Sequence, residues 1–300
     1  MNQPASTEHD LPLGAHLVDG GVHFSVWAPH AEQVWVTGSF NDWSTEADPL
    51  AREGDVWSVV VTGAAVGDEY KFVLRNGEEL LHRVDPRAYE VTNSVGNGIV
   101  HDHASFDWGD DDFQLPGHHE LVIYELHIGS FHTVEGEGVG TFELALEQLD
   151  HLVQLGVNVI QVMPVAEFAG DFSRGYNPAH VFAVESAYGG PAAFKTFVRE
   201  AHGRGLAVVL DVVYNHFGPS DLDLWRFDGW SPDADGGGDK GGIYFYNDHR
   251  SVTPWGDTRP DYGRGEVRQF IHDNAMMWMR DYHLDGLRWD MTPYIRSVHA

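Results

Sequence analysis

Polar side chains suited to acid–base or nucleophilic chemistry follow two apolar segments in the second half of the chain. Asp211, Asn215 and His216 lie at and beyond the end of one segment, and Arg288 and Asp290 end the other. Residues two apart in a strand point to the same face, so the guanidinium of Arg288 can orient the carboxylate of Asp290 through a charge-assisted hydrogen bond. A lone strand-end aspartate is usually a helix cap or part of a solvated turn, so Asp290 stands out only together with Arg288 and the polar residues at 211–216.

The segments that carry these residues alternate between strand and helix patterns. Apolar runs predict strands at 121–128, 157–163, 207–213 and 284–290, and helical spacing predicts helices at 141–155, 191–204 and 266–282. Such alternation predicts a parallel sheet, and polar residues at the carboxyl ends of its strands are typical of the active face of a (β/α)8 barrel. Four strands make half of such a barrel and leave open edges, which favour association or poor solubility.

The first part of the chain has a different pattern, in which short β-prone runs are separated by turns containing Gly, Asn and Asp. These runs cover 22–27, 33–37, 56–61 and 70–74. The sequence therefore predicts an α/β protein: an immunoglobulin-like β-sandwich at 1–106, an acidic connector at 107–120, and the first half of a (β/α)8 TIM barrel at 121–300. The barrel part carries a long Gly- and Asp-rich insertion at 217–264.

Composition limits the classes of partner. The net charge of −28 argues against nucleic acid and anionic membranes as partners. The 300 residues contain no cysteine, no apolar run long enough to span a membrane, and no signal-peptide pattern at the start. We therefore expect a cytoplasmic protein with a neutral ligand and make no prediction of its oligomeric state.

Several motifs are similar to those of the α-amylase superfamily of glycoside hydrolases. They are DVVYNH at 211–216, DGLRWD at 285–290, and VNVIQVMPVAEF at 157–168 followed by GYNP at 175–178. The stretch VHFSVWAPHAEQVWVTGSFNDW at 22–43 resembles the β-sandwich module that precedes the barrel in branching enzymes, isoamylases and maltooligosyltrehalose trehalohydrolases. The resemblance covers nearly the whole chain.

The resemblance implies retaining cleavage of an α-1,4-glucosidic bond, in which a nucleophile and an acid/base carboxyl act together. Asp290 matches the nucleophile and Arg288 the arginine beside it. His216, Asp211 and Tyr176 match substrate-binding positions, with Tyr176 as a stacking ring. Their partner would be an α-1,4-glucan such as glycogen, starch or a maltooligosaccharide.

Other positions carry weaker expectations. Asn215 is grouped with the substrate-binding residues. It corresponds to a calcium ligand in many amylases but not in branching-type members, so we expect no metal and no cofactor. Trp43 is a candidate for a surface glucan contact, whereas Trp27 is expected in the core, and His127 is expected to pack and hydrogen-bond beneath the site.

The family's acid/base glutamate has no counterpart in these 300 residues, since neither Glu167 nor Asp171 occupies its position. The chain alone is therefore predicted to be inactive. For the full-length protein the motifs favour a 1,4-α-glucan branching enzyme. The alternatives are a maltooligosyltrehalose trehalohydrolase and a non-catalytic glucan-binding fragment.

Overall fold

A computed structural model describes residues 11–136, 138–232 and 240–297. Ten strands form the amino-terminal part: β1 (Gly14–Val18), β2 (Gly21–Trp27), β3 (Gln33–Gly38), β4 (Asp48–Pro49), β5 (Ala51–Glu53), β6 (Val56–Thr62), β7 (Glu69–Asn76), β8 (Glu79–Arg83), β9 (Glu90–Val91) and β10 (Gly98–Ile99). They make two sheets, with strand orders β1-β2-β6-β5 and β4-β3-β7-β10-β9, and β8 pairs with β7. Residues 1–10 of the predicted sandwich, 233–239 of the predicted insertion and 298–300 lie outside the described residues.

The two sheets enclose an aromatic and aliphatic core, as expected of a sandwich whose strands alternate inward and outward side chains. Phe24 of β2 and Phe72 of β7 are fully buried between the sheets. The expectation that Trp27 lies in the core is confirmed, since it is 7% exposed. The predicted β-sandwich is thus present, with short strands in addition to the four that the sequence indicated.

The carboxy-terminal part is a strand–helix alternation. Its elements are β11 (Ile123–Leu126), α1 (Ile128–Phe131), α2 (Phe142–Leu146), α3 (Leu149–Gln154), β12 (Val159–Val162), β13 (Ala166–Phe168), β14 (Pro178–Val184), α4 (Gly190–His202), β15 (Ala207–Val212), α5 (Gly265–Asp281), β16 (Gly286–Trp289) and α6 (Thr292–Arg296). The strands β11, β12, β15 and β16 form one parallel sheet in that order. This is the order of consecutive strands in a (β/α)8 barrel, so the predicted half-barrel is confirmed.

Both edges of the parallel sheet expose apolar side chains. Ile123 on β11 is 55% exposed, and Trp289 on β16 is also exposed. Strands β11 and β16 form the two edges of this sheet in the described residues, and the association expected of such edges stays a prediction. No helix of the described residues is both long enough and apolar enough to cross a bilayer.

The barrel part contains elements that the sequence did not predict, among them the short helices α1 and α6. The single helix expected at 141–155 is two short helices, because Glu147 and Gln148 donate their amides three residues back, to Leu144 and Ala145, in a tighter turn. The antiparallel hairpin of β13 and β14 was not predicted. All seven residues of β14 are buried, so this strand lacks the alternating pattern that identifies a half-exposed strand.

Candidate active site

The two predicted groups of polar residues meet at the carboxyl ends of β15 and β16. The strands pair in parallel with Asp211 opposite Arg288, which brings their side chains together. Arg288 Nη1 donates to Asp211 at 3.0 Å (Oδ1) and 2.8 Å (Oδ2), and to Asp290 Oδ1 at 2.7 Å. Burial opposes the charge of Arg288, but the hydrogen bonds and charges of Asp211 and Asp290 outweigh it and raise its pKa. One guanidinium therefore links the two aspartates.

Asp290 is held from both sides at the end of β16. Its backbone amide donates to the carbonyl of Val212 at 3.0 Å. Its carboxylate accepts from Arg288 on one oxygen and from Asn215 Nδ2 on the other, at 3.1 Å. The side chain is 11% exposed. These contacts fix the direction of the carboxylate, which is the arrangement that nucleophilic attack requires.

Asp211 is buried beneath this pair and connects it to Tyr176. Tyr176 Oη donates to Asp211 Oδ2 at 2.7 Å. Burial raises the pKa of Asp211, although the hydrogen bonds of Tyr176 and Arg288 act in the opposite direction. Burial and the bond to Asp211 also raise the pKa of Tyr176, so its hydroxyl stays protonated and donates. Asp211 thus braces Tyr176 and Arg288.

His216 lies in the same network, with both ring nitrogens next to protein oxygens. Nδ1 is 2.6 Å from Asn215 Oδ1, and Nε2 is 2.9 Å from the carbonyl of Tyr176. Burial lowers the pKa of His216, which favours the neutral ring despite the contact with Tyr176. The ring stacks on Trp255, with centroids 4.9 Å apart and planes 16° from parallel.

Asn215 and His216, which the sequence motifs group with the substrate-binding residues, have protein partners in the structure. The amide of Asn215 is fully buried and bonded at both ends to protein groups, and both nitrogens of His216 have protein partners. Asn215 Nδ2 orients the carboxylate of Asp290 in this arrangement, and the neutral ring of His216 donates to one of the two oxygens beside it. The substrate-binding role of both residues stays a prediction.

Trp255 is a candidate site residue that sequence analysis did not select. It lies in the insertion at 217–264, is 39% exposed, and contacts Tyr294 edge-on in addition to the ring of His216. An exposed indole beside polar groups is a suitable platform for the apolar face of a sugar. The available signal was an aromatic residue in a long loop that follows a strand end, a position that often lines a site.

The turn that places Tyr176 in the site requires a glycine. Gly175 has φ +81°, and a Cβ at this position would lie 2.2 Å from the carbonyl oxygen of Pro164. Only glycine fits this left-handed conformation and this close approach. Ser173 and Asn177 close the same turn with a hydrogen bond between their side chains.

Other predicted residues lie elsewhere. Trp43 is 41% exposed on a turn of the sandwich, as a surface contact requires. His127 is close to Ser130 Oγ, the carbonyl of Ser173 and Tyr188 Oη, which agrees with a hydrogen-bonded packing role. Glu167 is 2% exposed and accepts from the amide of Ser186 at 2.7 Å, so it does not face the open site.

The chain matches two family models. Residues 12–88 match "Carbohydrate-binding module 48 (Isoamylase N-terminal domain)", and residues 125–225 match "Alpha amylase, catalytic domain". The chain belongs to the α-amylase superfamily. Its resemblance to that family, inferred from the strand-end motifs, is thereby confirmed.

Individual relatives extend this match over most of the chain. The 1,4-alpha-glucan branching enzyme GlgB of Salinibacter ruber is 35% identical over 294 residues, which cover 93% of this chain and 46% of the relative. The malto-oligosyltrehalose trehalohydrolase of Saccharolobus solfataricus is also 35% identical, over 293 residues that cover 97% of this chain and 46% of the relative. The chain spans about half the length of these curated relatives.

Solved structures show the same fold. A Salmonella typhimurium protein assigned as an alpha amylase superposes with a TM-score of 0.81 at 33% identity, covering 95% of this chain and 44% of that one. A pullulanase from Paenibacillus barengoltzii superposes with a TM-score of 0.79 at 23% identity, covering 94% and 49%. The second likeness concerns the fold alone.

Proposed function

We propose that the full-length protein is a retaining α-glucan enzyme of the 1,4-α-glucan branching type and that Asp290 is its nucleophile. The observation that carries the proposal is the fixed carboxylate of Asp290, which Arg288 and Asn215 hold at the carboxyl end of a barrel strand. The branching-enzyme relatives support the substrate class, an α-1,4-glucan. We also propose a cytoplasmic location.

The proposed reaction has two displacements. A carboxylate oxygen of Asp290 attacks the anomeric carbon and forms a glycosyl ester, while the glycosidic C–O bond breaks and its oxygen takes a proton from a general acid. A hydroxyl of a second glucan chain then attacks the ester, gives its proton to the same group, and releases Asp290. In hydrolysis, water replaces that hydroxyl.

The general acid is a separate carboxyl, which a retaining mechanism places about 5 Å from the nucleophile. Asp211 does not fit this role, because Tyr176 and Arg288 occupy its buried oxygens. We propose that the acid/base glutamate lies in the part of the barrel that the longer relatives have in addition to the matched half.

The products formed by the full-length protein test the proposal. Amylose is incubated with the enzyme, and α-1,6 linkages are measured by proton NMR. New α-1,6 linkages without net loss of glucan are the expected result. Release of reducing sugar with no new linkage would contradict branching and indicate hydrolysis. Unchanged amylose would also contradict branching and leave the second candidate function to be tested.

A second candidate function is hydrolysis of maltooligosyltrehalose. It is favoured by the trehalohydrolase of Saccharolobus solfataricus, which matches this chain at the same 35% identity as the branching enzymes. Incubation with maltooligosyltrehalose, followed by chromatography of free trehalose, distinguishes the two. A non-catalytic glucan-binding protein would give neither product and would still be retained on an amylose resin.

A further inference from the structure

The insertion that carries Trp255 begins on the surface of the β-sandwich. Arg83 at the end of β8 donates from Nε to the carbonyl of Phe227 at 3.1 Å, and from Nη2 to those of Arg226 at 3.1 Å and Trp225 at 3.5 Å. Asn76 Nδ2 donates to the next carbonyl, that of Asp228, at 2.9 Å. Two sandwich side chains thus satisfy consecutive backbone carbonyls in a loop that has no strand partner for them.

Side chains of the insertion also accept hydrogen bonds from the sandwich. Asp228 is fully buried, and its Oδ2 accepts from the backbone amide of His30 at 3.0 Å and lies 2.9 Å from His30 Nδ1. The ring of His30 stacks on Trp230, with centroids 4.3 Å apart. Asp223 Oδ2 accepts from the amide of Val84 at 2.6 Å. The start of the insertion is therefore fixed by polar contacts in both directions.

Backbone hydrogen bonds carry this anchoring further along the insertion. The amide of Arg226 donates to the carbonyl of Gly241 at 2.8 Å. Beyond it, the amide of Tyr246 donates to the carbonyl of Arg259 at 3.2 Å, and Arg259 Nη2 donates to the carbonyl of Val252 at 2.9 Å. These hydrogen bonds, together with the backbone at 241–246, connect residues 225–228 to the turn at 252–256.

That turn holds Trp255 against the site. The amide of Thr253 donates to the carbonyl of Gly256 at 2.8 Å, and Thr253 Oγ1 accepts from the amide of Trp255 at 3.2 Å. The indole then stacks on His216, which contacts the carbonyl of Tyr176. We therefore expect a displacement of the loop at 225–228 to reach this turn through the hydrogen bonds that connect the two segments.

We propose that Arg83 of the sandwich is a positioning residue for the catalytic half, which sets the place of Trp255 over His216 by holding the carbonyls of 225–227. The sandwich then has a second task besides any glucan contact at Trp43: it orders the loop that forms one wall of the site. The role of this loop at a substrate site rests on the proposed function, whereas the coupling between Arg83 and Trp255 does not.

Hydrogen exchange measured on these 300 residues tests the coupling. In Arg83→Gln, amide exchange is expected to rise about tenfold both at 224–229 and at 250–258, with the melting temperature nearly unchanged. Arg83→Lys, which keeps the charge but has fewer donors in a different geometry, should restore part of the protection. Arg75→Gln is the matched control, since Arg75 lies exposed in the same sheet over the ring of Trp35. It should leave both segments unchanged.

Two results would overturn the proposal: faster exchange confined to 224–229, or no change in either segment. If Arg83→Gln does not fold, Asn76→Ala removes a single donor to the same loop and is measured in its place. In the full-length protein, Arg83→Gln should also weaken maltoheptaose binding with a smaller effect on kcat. Absence of glucan binding in the wild type would contradict the proposed function and leave the exchange result to decide the coupling.

Discussion

Arg288 Nη1 lies 2.7 Å from Asp290 Oδ1, and the two residues flank Trp289, the last residue of β16. The same nitrogen reaches both oxygens of Asp211 on the neighbouring strand. The proposed nucleophile is therefore oriented by a cation that also binds a second, buried carboxylate. The predictions for the site follow from this arrangement.

Replacing Asp290 by Asn removes the nucleophile and keeps the shape of the side chain. In the full-length protein, turnover of amylose should fall by about 10⁴-fold or more, while affinity for maltooligosaccharides stays close to that of the wild type. Asp110→Asn in the exposed connector is the control and should keep full activity. Turnover that survives in Asp290→Asn would refute the assignment of the nucleophile.

Asn215 should tolerate no negative charge. In Asn215→Asp, a second carboxylate would stand about 3 Å from Asp290, the donor that orients Asp290 would be lost, and kcat should fall on the order of a hundredfold. Asn93→Asp, at an exposed turn, makes the same chemical change without a carboxylate neighbour at that distance. Equal activity of the two variants would show that the amide of Asn215 does not position Asp290.

His202 should make stability depend on pH. Its nitrogens lie 2.9 Å from Asp111 and 3.1 Å from Asp285; burial opposes its charge, but these carboxylates outweigh burial and raise its pKa. The pKa of Asp111 is lowered by its contacts with His283 and His202, which outweigh burial. The stabilisation is therefore fully present between about pH 4 and 6.5, and it is lost as pH rises through the folded pKa of His202 or falls through that of Asp111.

Denaturant unfolding of His202→Gln and of the wild type from pH 5 to 9 measures this effect. The advantage of the wild type in free energy of unfolding should shrink as pH rises above 6.5. His151→Gln, at an exposed position on α3, should follow the wild-type profile. A constant difference between His202→Gln and the wild type over this range would exclude a charged His202 in the folded protein.

Glu167 should destabilise the fold at alkaline pH. Burial, with the neighbouring charge of Glu185, raises the pKa of Glu167 from 4.5 to about 8. The unfolded chain loses this proton first, so wild-type stability falls as pH rises from about 4.5 to 8. Glu167→Gln keeps an acceptor for Ser186 and should gain stability relative to the wild type across that interval. Glu147→Gln, at an exposed position, should show no such gain in the same pH series of denaturant unfolding.

Truncation of Phe142 should lower the free energy of unfolding more than truncation of Phe172. It is fully buried at the start of α2, where its ring stacks on Phe194. Phe142→Ala should lower the free energy of unfolding by about 3–5 kcal/mol. Phe172 is 81% exposed, and Phe172→Ala should change it by no more than about 0.5 kcal/mol. Similar losses in the two variants would contradict the packing described for α2.

The sequence predicted the four parallel strands and the meeting of Asp211, Arg288 and Asp290, because strand periodicity and the carboxyl-end rule act locally. It did not predict the contacts of Asn215 and His216 with each other, with Asp290 and with the backbone of Tyr176. Those contacts depend on three-dimensional neighbours that no spacing along the chain reveals. Trp255 was missed for the same reason, since about 40 residues of the insertion separate it from His216.

The sequence also did not predict that the helix expected at 141–155 is divided, because no glycine or proline marks the break after Leu146. The anchoring of the insertion by Arg83 is a contact across more than 140 positions of sequence. Domain boundaries at 106 and 120 and the roles of the site residues stay predictions, which the variants above can test.

The turn at Gly175 restricts how this protein can evolve. Any other residue there would place its Cβ against the carbonyl oxygen of Pro164, and the turn that presents Tyr176 would have to shift. The exposed neighbour Arg174 faces no such limit. Substitutions at Arg174 should therefore be common among natural variants of this chain, whereas position 175 should stay glycine in all of them.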